Sequence, residues 1–558
     1  MKKMYLLAGL SLLAAPLFAQ RTLIHCGNLF DGVSNNLQPQ MTVVVEGNKI
    51  TAVQKGYTTP AGQDRVLDMK SKTVLPGLID MHVHLESQTR RGGAIDGFTK
   101  NQADIAYQAA QYAKTTLMAG FTTVRDLGGS GVNVSLRNAI NAGLVDGPRV
   151  LTVGKSIATT GGHADPTNGY RKDLMGDPGP MEGVINGPED ARKAVRQRYK
   201  DGSDLIKITA TGGVLSNAKD GSGAQFTEEE VKAVVDAAKD YGFPVAAHAH
   251  GAEGMKRAIR AGVQTIEHGT LMDDEAIELF KKYGTYYVPT IIAGKTAADS
   301  ARHFGYYPAL VTPKALAIGP KIQATFAKAY KAGVKIAFGT DAGVYIHGYN
   351  AKEFEYMVEA GMPPIEAIKA ALMTNAKLLG MDAQIGSIET GKMADIIAVA
   401  ENPIQNIKTL QTVQFVMKDG HGPMPAPATY RLSINSFTRS ASSCWTQWEA
   451  FSKKTSRPLS QRSMLGWAIS RLRNLSRVPQ MSKVGTVTRT DARGAGGLRS
   501  EARYQLIMAV TAPGCDQAAL YCCKSARRNV PGRLLPSNVR TNIDQFPALD
   551  TASGSQGS

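Results

Sequence analysis

Residues Leu75 to Glu86 read LPGLIDMHVHLE. An apolar run breaks at Pro76-Gly77, resumes at Leu78 and closes on two histidines one residue apart. Successive side chains on a β-strand point to opposite faces, so residues two apart share a face. Read as a strand, the stretch sets the imidazoles of His82 and His84 side by side at its C-terminal end. Two imidazoles so placed can grip one cation and leave its other positions open.

Outward from this stretch, similar apolar runs recur at GFTTVRDLGG, PRVLTVGKSIATTGG, DLIKITATGG, FPVAAHAHG, VQTIEHGT, TYYVPTIIAG and VKIAFGTDAG. Most are separated by helical stretches such as PEDARKAVRQRYKDG, TEEEVKAVVDAAKDYG and AEGMKRAIRAG. The second of these opens at Thr227 with Glu230 three residues on, the spacing of a capping box. Eight strands with intervening helices predict an α/β architecture, a (β/α)8 TIM barrel over residues 76–383. A doubly wound parallel sheet is the alternative, but it would spread its C-terminal strand residues along a crevice.

Both flanks of this region have a different texture. Between residues 20 and 75, TLIHCGNLFDG, MTVVVEGNKITAV and DRVLDMKSKTVL read as half-buried antiparallel strands with Gly and Asn turns. The texture returns at ADIIAVAEN and TVQFVMKDG within residues 384–420. The two segments predict one small β-sandwich domain built from both ends.

The termini differ again. Lys2 and Lys3 precede the apolar run Met4–Phe18 and the small residue Ala19. Residues 1–19 therefore read as a secretory signal peptide, which implies an exported protein, periplasmic or secreted, without stable membrane association. Cys26 is the single cysteine of the body and cannot form a disulfide within it. Residues 421–558 hold 19 Lys+Arg and 6 Asp+Glu, whereas the first 420 residues hold 45 and 41. The formal charge of +17 thus belongs mainly to the tail, and no nucleic-acid partner is expected of the body. That tail also carries Trp445, Trp448 and Trp467 and four of the five cysteines. It reads as an atypical basic extension, disordered or translated out of frame.

In a parallel barrel, chemistry collects at the C-terminal strand ends. The last polar residues there are His82 and His84 on the first strand, Lys207 on the fourth, His248 on the fifth, His268 on the sixth and Asp341 on the eighth. His248 and His268 can hold a second cation. Asp341, in FGTDAG, offers a hard oxygen to the first cation and a base near its water. Taken singly, each has a plainer reading: a core histidine, a buried Lys207 paired with an acid, an Asp341 capping a helix. Six such residues at the ends of five strands favour the metal reading. His250 shares a face with His248, and His163 lies in TTGGHAD after the third strand; both are candidates to touch substrate. Arg125, at the end of the second strand, ranks low as a carboxylate partner because Asp126 adjoins it. Tyr306, Tyr307 and Tyr345 are expected to supply aromatic surface to the pocket.

With these residues in this order, the sequence resembles the amidohydrolase superfamily. LPGLIDMHVHLE, LIKITATGGVLS, VAAHAHG, IEHGT and FGTDAG are similar to its imidazolonepropionase-like and Xaa-Pro dipeptidase branch, near the bacterial ochratoxin-hydrolysing amidohydrolases. The resemblance spans residues 21–420 and departs at Gly420-His421, where one more short strand is usual. It implies two divalent metal ions, zinc by preference, with His82, His84 and Asp341 on one and His248 and His268 on the other. It implies a carbamylated Lys207 bridging them. The activity implied is hydrolysis of an amide bond by a metal-bridging hydroxide, with Asp341 moving the proton. Substrates of that branch are small: an Xaa-Pro dipeptide, an N-acyl amino acid or ochratoxin A. A cyclic amide such as an imidazolone or lactam is the alternative, and a non-catalytic binding protein of the same fold ranks below it. A homo-oligomer is compatible with this reading.

Overall fold

The computed structural model describes residues 20–424, apart from residues 218–220, together with the backbone of three strands nearer the C-terminus. The expected signal peptide and most of the tail lie outside the described residues. Every residue of the strand Leu78–Val83 is buried, which is what its near-continuous apolar sequence requires of a strand covered on both faces. It pairs in parallel with Phe121–Asp126, which pairs in parallel with Arg149–Thr152. Just beyond, Ile157 bridges Ile208 in parallel. Ile208 belongs to Ile206–Thr209, the first strand of a parallel sheet that continues through Val245–Gly251, Thr265–Leu271 and Tyr286–Val288. Tyr287 then bridges Ile336, and Ala342 bridges Val83. Among the described residues, the parallel pairings return to the strand from which they started. A circuit of this kind leaves no edge strand to protect.

Helices follow most of these strands and bury one face each. Pro188–Lys200 turns Ala191, Ala194, Val195 and Arg198 inward, a spacing of three and four residues. Glu228–Asp240 starts with the capping box expected of its sequence: the Thr227 side chain accepts from Glu230 N at 3.2 Å, and Thr227 N donates to Glu230 Oε2 at 2.8 Å. Two orphan amides are thereby satisfied. Among the described residues, no helix is long and apolar enough to cross a membrane.

Both flanks do contribute to one small β-domain, but its build differs from the expectation. It is a single seven-stranded sheet rather than two, in the order 421–424, 415–418, 396–399, 65–76, 21–29, 38–46, 49–55. The pairing of Arg21–Leu29 with Arg65–Pro76 is parallel, not antiparallel. Strand length is the reason: Arg65–Pro76 runs for 12 residues, enough to pair with the N-terminal strand on one side and with Ile396–Val399 on the other. The sheet's two ends share one core, in which Val43 and Ile50 pack with Ile396, Phe415 and Met417. The closing strand missing from the sequence reading is present. His421–Met424 pairs antiparallel with Phe415–Lys418, through a turn in which Asp419 and Gly420 both take positive φ, 51° and 72°. That is the Asp-Gly chemistry of a two-residue hairpin, so the second part of the domain reaches past Gly420, at least to Met424.

The chain divides again at Tyr430. Beyond it, Ser482–Ala492, Glu501–Thr511 and Ser525–Ala526 make an antiparallel three-stranded sheet.

Candidate metal centre

Each strand end delivers its polar residue to one place. His82, His84, His163, Lys207, His248, His250, His268 and Asp341 all line a single cavity of about 270 Å³. Asp341 is its hinge: Oδ1 lies 3.4 Å from His82 Nε2 and 3.3 Å from His84 Nε2. His82, His268 and Asp341 offer ligand atoms all within 4.8 Å of one another. The His268 ring is also 4.7 Å from that of His248 and 4.9 Å from that of His250, centroid to centroid. The two expected ligand groups therefore sit side by side, with His268 touching both.

Hydrogen bonds on the far side of each ring decide which nitrogen faces the cavity. His82 Nδ1 donates to Glu267 Oε2 at 2.9 Å, His84 Nδ1 to the Gly128 carbonyl at 2.8 Å, and His248 Nε2 to the Gly212 carbonyl at 3.1 Å. These oxygens only accept, so the proton is on the ring and the opposite nitrogen keeps its lone pair. His250 Nδ1 and His268 Nδ1 rest on the hydroxyls of Thr270 and Thr290, at 2.9 Å and 2.8 Å. Orienting bonds of this kind are typical around metal-ligating histidines.

Against burial, the hydrogen bond and charge of Asp341 hold His84 above the usual histidine range. In the other rings burial reinforces the neutral state. It pushes His82 and His250 down to about 4 and holds His248 and His268 well below the usual histidine range. His163 falls to about 3, from burial and from the neighbouring His250 and Lys207. Its Nδ1 is buried without a partner, and its ring lies 4.3 Å from that of His248. Gly213 is required beneath it, because a Cβ there would stand 2.2 Å from the imidazole. Burial also lowers Lys207 to about 8, against the pull of Glu267 and Asp341. Asp341 stays ionised despite burial, because His82 and His84 hold it below the usual carboxylate range. Imidazoles that are neutral apart from His84, a carboxylate and a lysine lowered to about 8 form a donor set that fits divalent cations.

Backbone strain gathers at the same place. Of the few non-glycine residues with positive φ among those described, His268 at 73°, Thr290 at 50° and Asp341 at 59° all belong to this site. Such conformations persist only where the surroundings over-determine them, and they cluster at functional sites.

Several contributors escaped the sequence reading. Glu267, buried in the strand before His268, pairs with Arg125 at 2.8 Å and with His82. Arg125 and His82 hold its carboxyl at about 2 in spite of burial. Arg125 thus serves Glu267 and the Met81 carbonyl and does not line the cavity. Tyr287, which the sequence places at the far end of its strand, reaches across to donate its hydroxyl to the His268 carbonyl at 2.9 Å. A charged residue inside an apolar strand was the available signal for Glu267; none existed for Thr270 or Thr290. The aromatic wall expected of Tyr306, Tyr307 and Tyr345 is absent from the cavity lining. Ala293, Gly294, Ala297, Ala315, Ile318 and Ile322 stand there instead, because the helices Ile291–Ala301 and Val311–Lys331 close over the mouth and Tyr307 packs behind them.

The Amidohydrolase family pattern matches residues 73–421. The chain belongs to the amidohydrolase family. It is 32% identical over 436 residues to ochratoxinase of Aspergillus niger, an alignment covering 72% of this chain and 86% of that one. Among solved structures, a Xaa-Pro dipeptidase with methionine bound in its active site is 54% identical, with a TM-score of 0.70 over 72% of this chain and 99% of its own. A prolidase complexed with N-methylphosphonate-L-proline is 32% identical, with a TM-score of 0.67 over 72% and 99%. Amidohydrolases are hydrolytic enzymes of the TIM-barrel fold that generally bind metal. The closed parallel circuit and the His82–His268–Asp341 cluster are what that family leads one to find.

Proposed function

We propose that this amidohydrolase cleaves an amide bond in a small substrate whose amine half is an amino acid: an Xaa-Pro dipeptide, an N-acyl amino acid or ochratoxin A. The observation that carries this reading is the convergence of His82, His84, Lys207, His248, His268 and Asp341 on one buried cavity of a closed (β/α)8 barrel. Its relatives with amino-acid-derived ligands, methionine and N-methylphosphonate-L-proline, support the amine half. His82, His84 and Asp341 would hold one divalent cation and His248 and His268 another, zinc by preference. Bound there, such cations supply Lewis acidity and bring coordinated water towards neutral acidity.

The chain's own groups do the rest. Lys207, lowered to about 8 by burial, keeps a fraction of neutral amine at physiological pH. That Nζ can attack carbon dioxide, forming an N–C bond and losing a proton, to become the carbamylated lysine between the two ligand groups. Asp341, ionised and in contact with both His82 and His84, accepts a proton from the attacking water at a carboxylate oxygen. It then delivers that proton to the departing nitrogen, which leaves poorly as an anion. His250, held by Thr270, presents Nε2 to the substrate carbonyl or carboxylate, and His163, beside the His248 ring, does the same. The aliphatic surface of Ala293, Ala297, Ala315, Ile318 and Ile322 takes the apolar part of the substrate and keeps water out.

The test is metal analysis of the purified protein beside a hydrolysis panel of Xaa-Pro dipeptides, N-acyl amino acids, ochratoxin A and cyclic amides. Stoichiometric zinc with turnover of the first three classes is expected. Turnover of cyclic amides alone moves the substrate class. A metal-free protein that binds these amides without cleaving them makes it a binding protein.

A further inference from the structure

Thr290 occupies the N-cap of the helix Ile291–Ala301 with φ 50° and ψ 44°. β-Branched residues rarely take this left-handed conformation. A threonine at an N-cap ordinarily accepts a hydrogen bond from an amide two or three residues on. Thr290 makes no such bond, and its Oγ1 lies 2.8 Å from His268 Nδ1 instead. The helix start is served from elsewhere. Glu353, wholly buried in Lys352–Glu359, accepts from Ile291 N at 2.8 Å with Oε1 and from Ile292 N at 2.7 Å with Oε2.

We propose that Glu353 is a positioning residue for His268. By taking the first amides of Ile291–Ala301 it releases the Thr290 hydroxyl from capping and holds Thr290 left-handed. The hydroxyl is then free to receive His268 Nδ1–H, which turns Nε2 to the cavity. Glu353 does not line the cavity and touches no reacting group; it acts on the ring through one intermediary. Tyr287 fixes the His268 backbone by its bond to the carbonyl, whereas Glu353 and Thr290 fix the direction of the ring. A carboxylate on the helix after the eighth strand is thus linked to a ligand on the sixth. The inference rests on the reading of His268 as a cation ligand.

The test measures zinc affinity by chelator competition, with melting temperature recorded in parallel, for Glu353→Gln, Thr290→Val, their double variant and His268→Ala. Loss of an orienting partner lowers metal affinity about 10–100-fold, and that loss is expected in each of the two single variants. If both act along one line, the double variant loses no more than the weaker single one. Additive losses, or a Glu353→Gln protein that binds zinc as the parent does, overturn the proposal. Unchanged affinity in His268→Ala instead overturns the ligand reading on which it rests. Should Glu353→Gln not be recovered folded, Glu353→Asp replaces it, since Asp keeps both carboxyl oxygens but is one methylene short of serving both amides. A loss shared with Thr290→Val and not additive to it supports the linkage, and parental affinity in the Asp protein refutes it.

Discussion

Glu267 Oε2 lies 2.9 Å from His82 Nδ1, and neither side chain is more than 1% exposed. The other oxygen of the same carboxylate receives Arg125, so three buried side chains form one line from the second strand to the candidate metal ligand. Removing one partner of a buried ion pair typically costs about 3–5 kcal/mol, because the other charge is left without compensation. Glu267→Gln should therefore lower the melting temperature sharply and weaken metal binding as well. Adding Arg125→Met to it removes the stranded charge and should restore most of the stability. A double variant no more stable than Glu267→Gln alone would show that the pair is not what holds this wall together.

Asp341 tests the chemistry. Its φ of 59° is one that asparagine also tolerates, so Asp341→Asn should fold, with a melting temperature within a few degrees of the parent. What it loses is a group able to take and return a proton. General acid–base catalysis contributes about 10²–10⁴-fold, and kcat should fall by that order while the protein stays intact. Undiminished turnover would remove Asp341 from the reaction.

Acid should unfold the metal-free protein early. Burial lowers His82, His250 and His347 to about 4 and His163 to about 3, and holds His248 and His268 well below the usual histidine range. In the unfolded chain each returns to roughly 6.5. Between those limits the unfolded state binds more protons, so stability is lost as pH falls from about 6.5 towards 4. Asp80, raised by burial to about 6, and Glu353, raised to about 8, act in the opposite direction, as do buried Asp126 and His84, which Asp341 holds above the usual histidine range. Six histidines outnumber them over the window. Denaturant midpoints of chelator-treated protein should decline steadily below pH 6.5, and a level profile from pH 7 to 4.5 would contradict this account. Cation-loaded protein should resist further down the scale, since bound metal must be displaced before the rings can charge.

How much of this was legible in the sequence follows from what each feature depends on. The ligand residues could be read because strand periodicity fixes which side chains share a face: His82 with His84, and His248 with His250. The Thr227–Glu230 cap could be read because it is local. Glu267, Thr290 and Glu353 could not. Their value comes from partners many residues away, across strands whose adjacency only the closed circuit creates. The tyrosines went astray for a similar reason. All three lie in loops, yet the path of Ile291–Ala301 and Val311–Lys331 decided which side chains reach the cavity. Parallel pairing of the first and fourth strands of the β-domain was likewise hidden, since alternation reveals a strand's faces but not its neighbour's direction.

The boundary of the body makes a last prediction. Phe415 and Met417 fill the core shared by both flanks, and Asp419 pairs with Arg149, which also holds Asp395 at 2.7 Å. His421–Met424 then covers the edge of Phe415–Lys418. A chain cut after residue 429 keeps all of these contacts and should fold, bind metal and turn over substrate like the full-length protein. A chain cut after residue 414 loses three buried apolar side chains, Phe415, Val416 and Met417, each worth about 1.5–3 kcal/mol of burial, together with the Arg149 ion pair to Asp419. It should be recovered mainly aggregated or protease-sensitive. Equal protease resistance and turnover in the two truncations would place the working end of the domain before Phe415, and loss of activity in the longer one would give residues 430–558 a role that no contact within residues 20–424 requires.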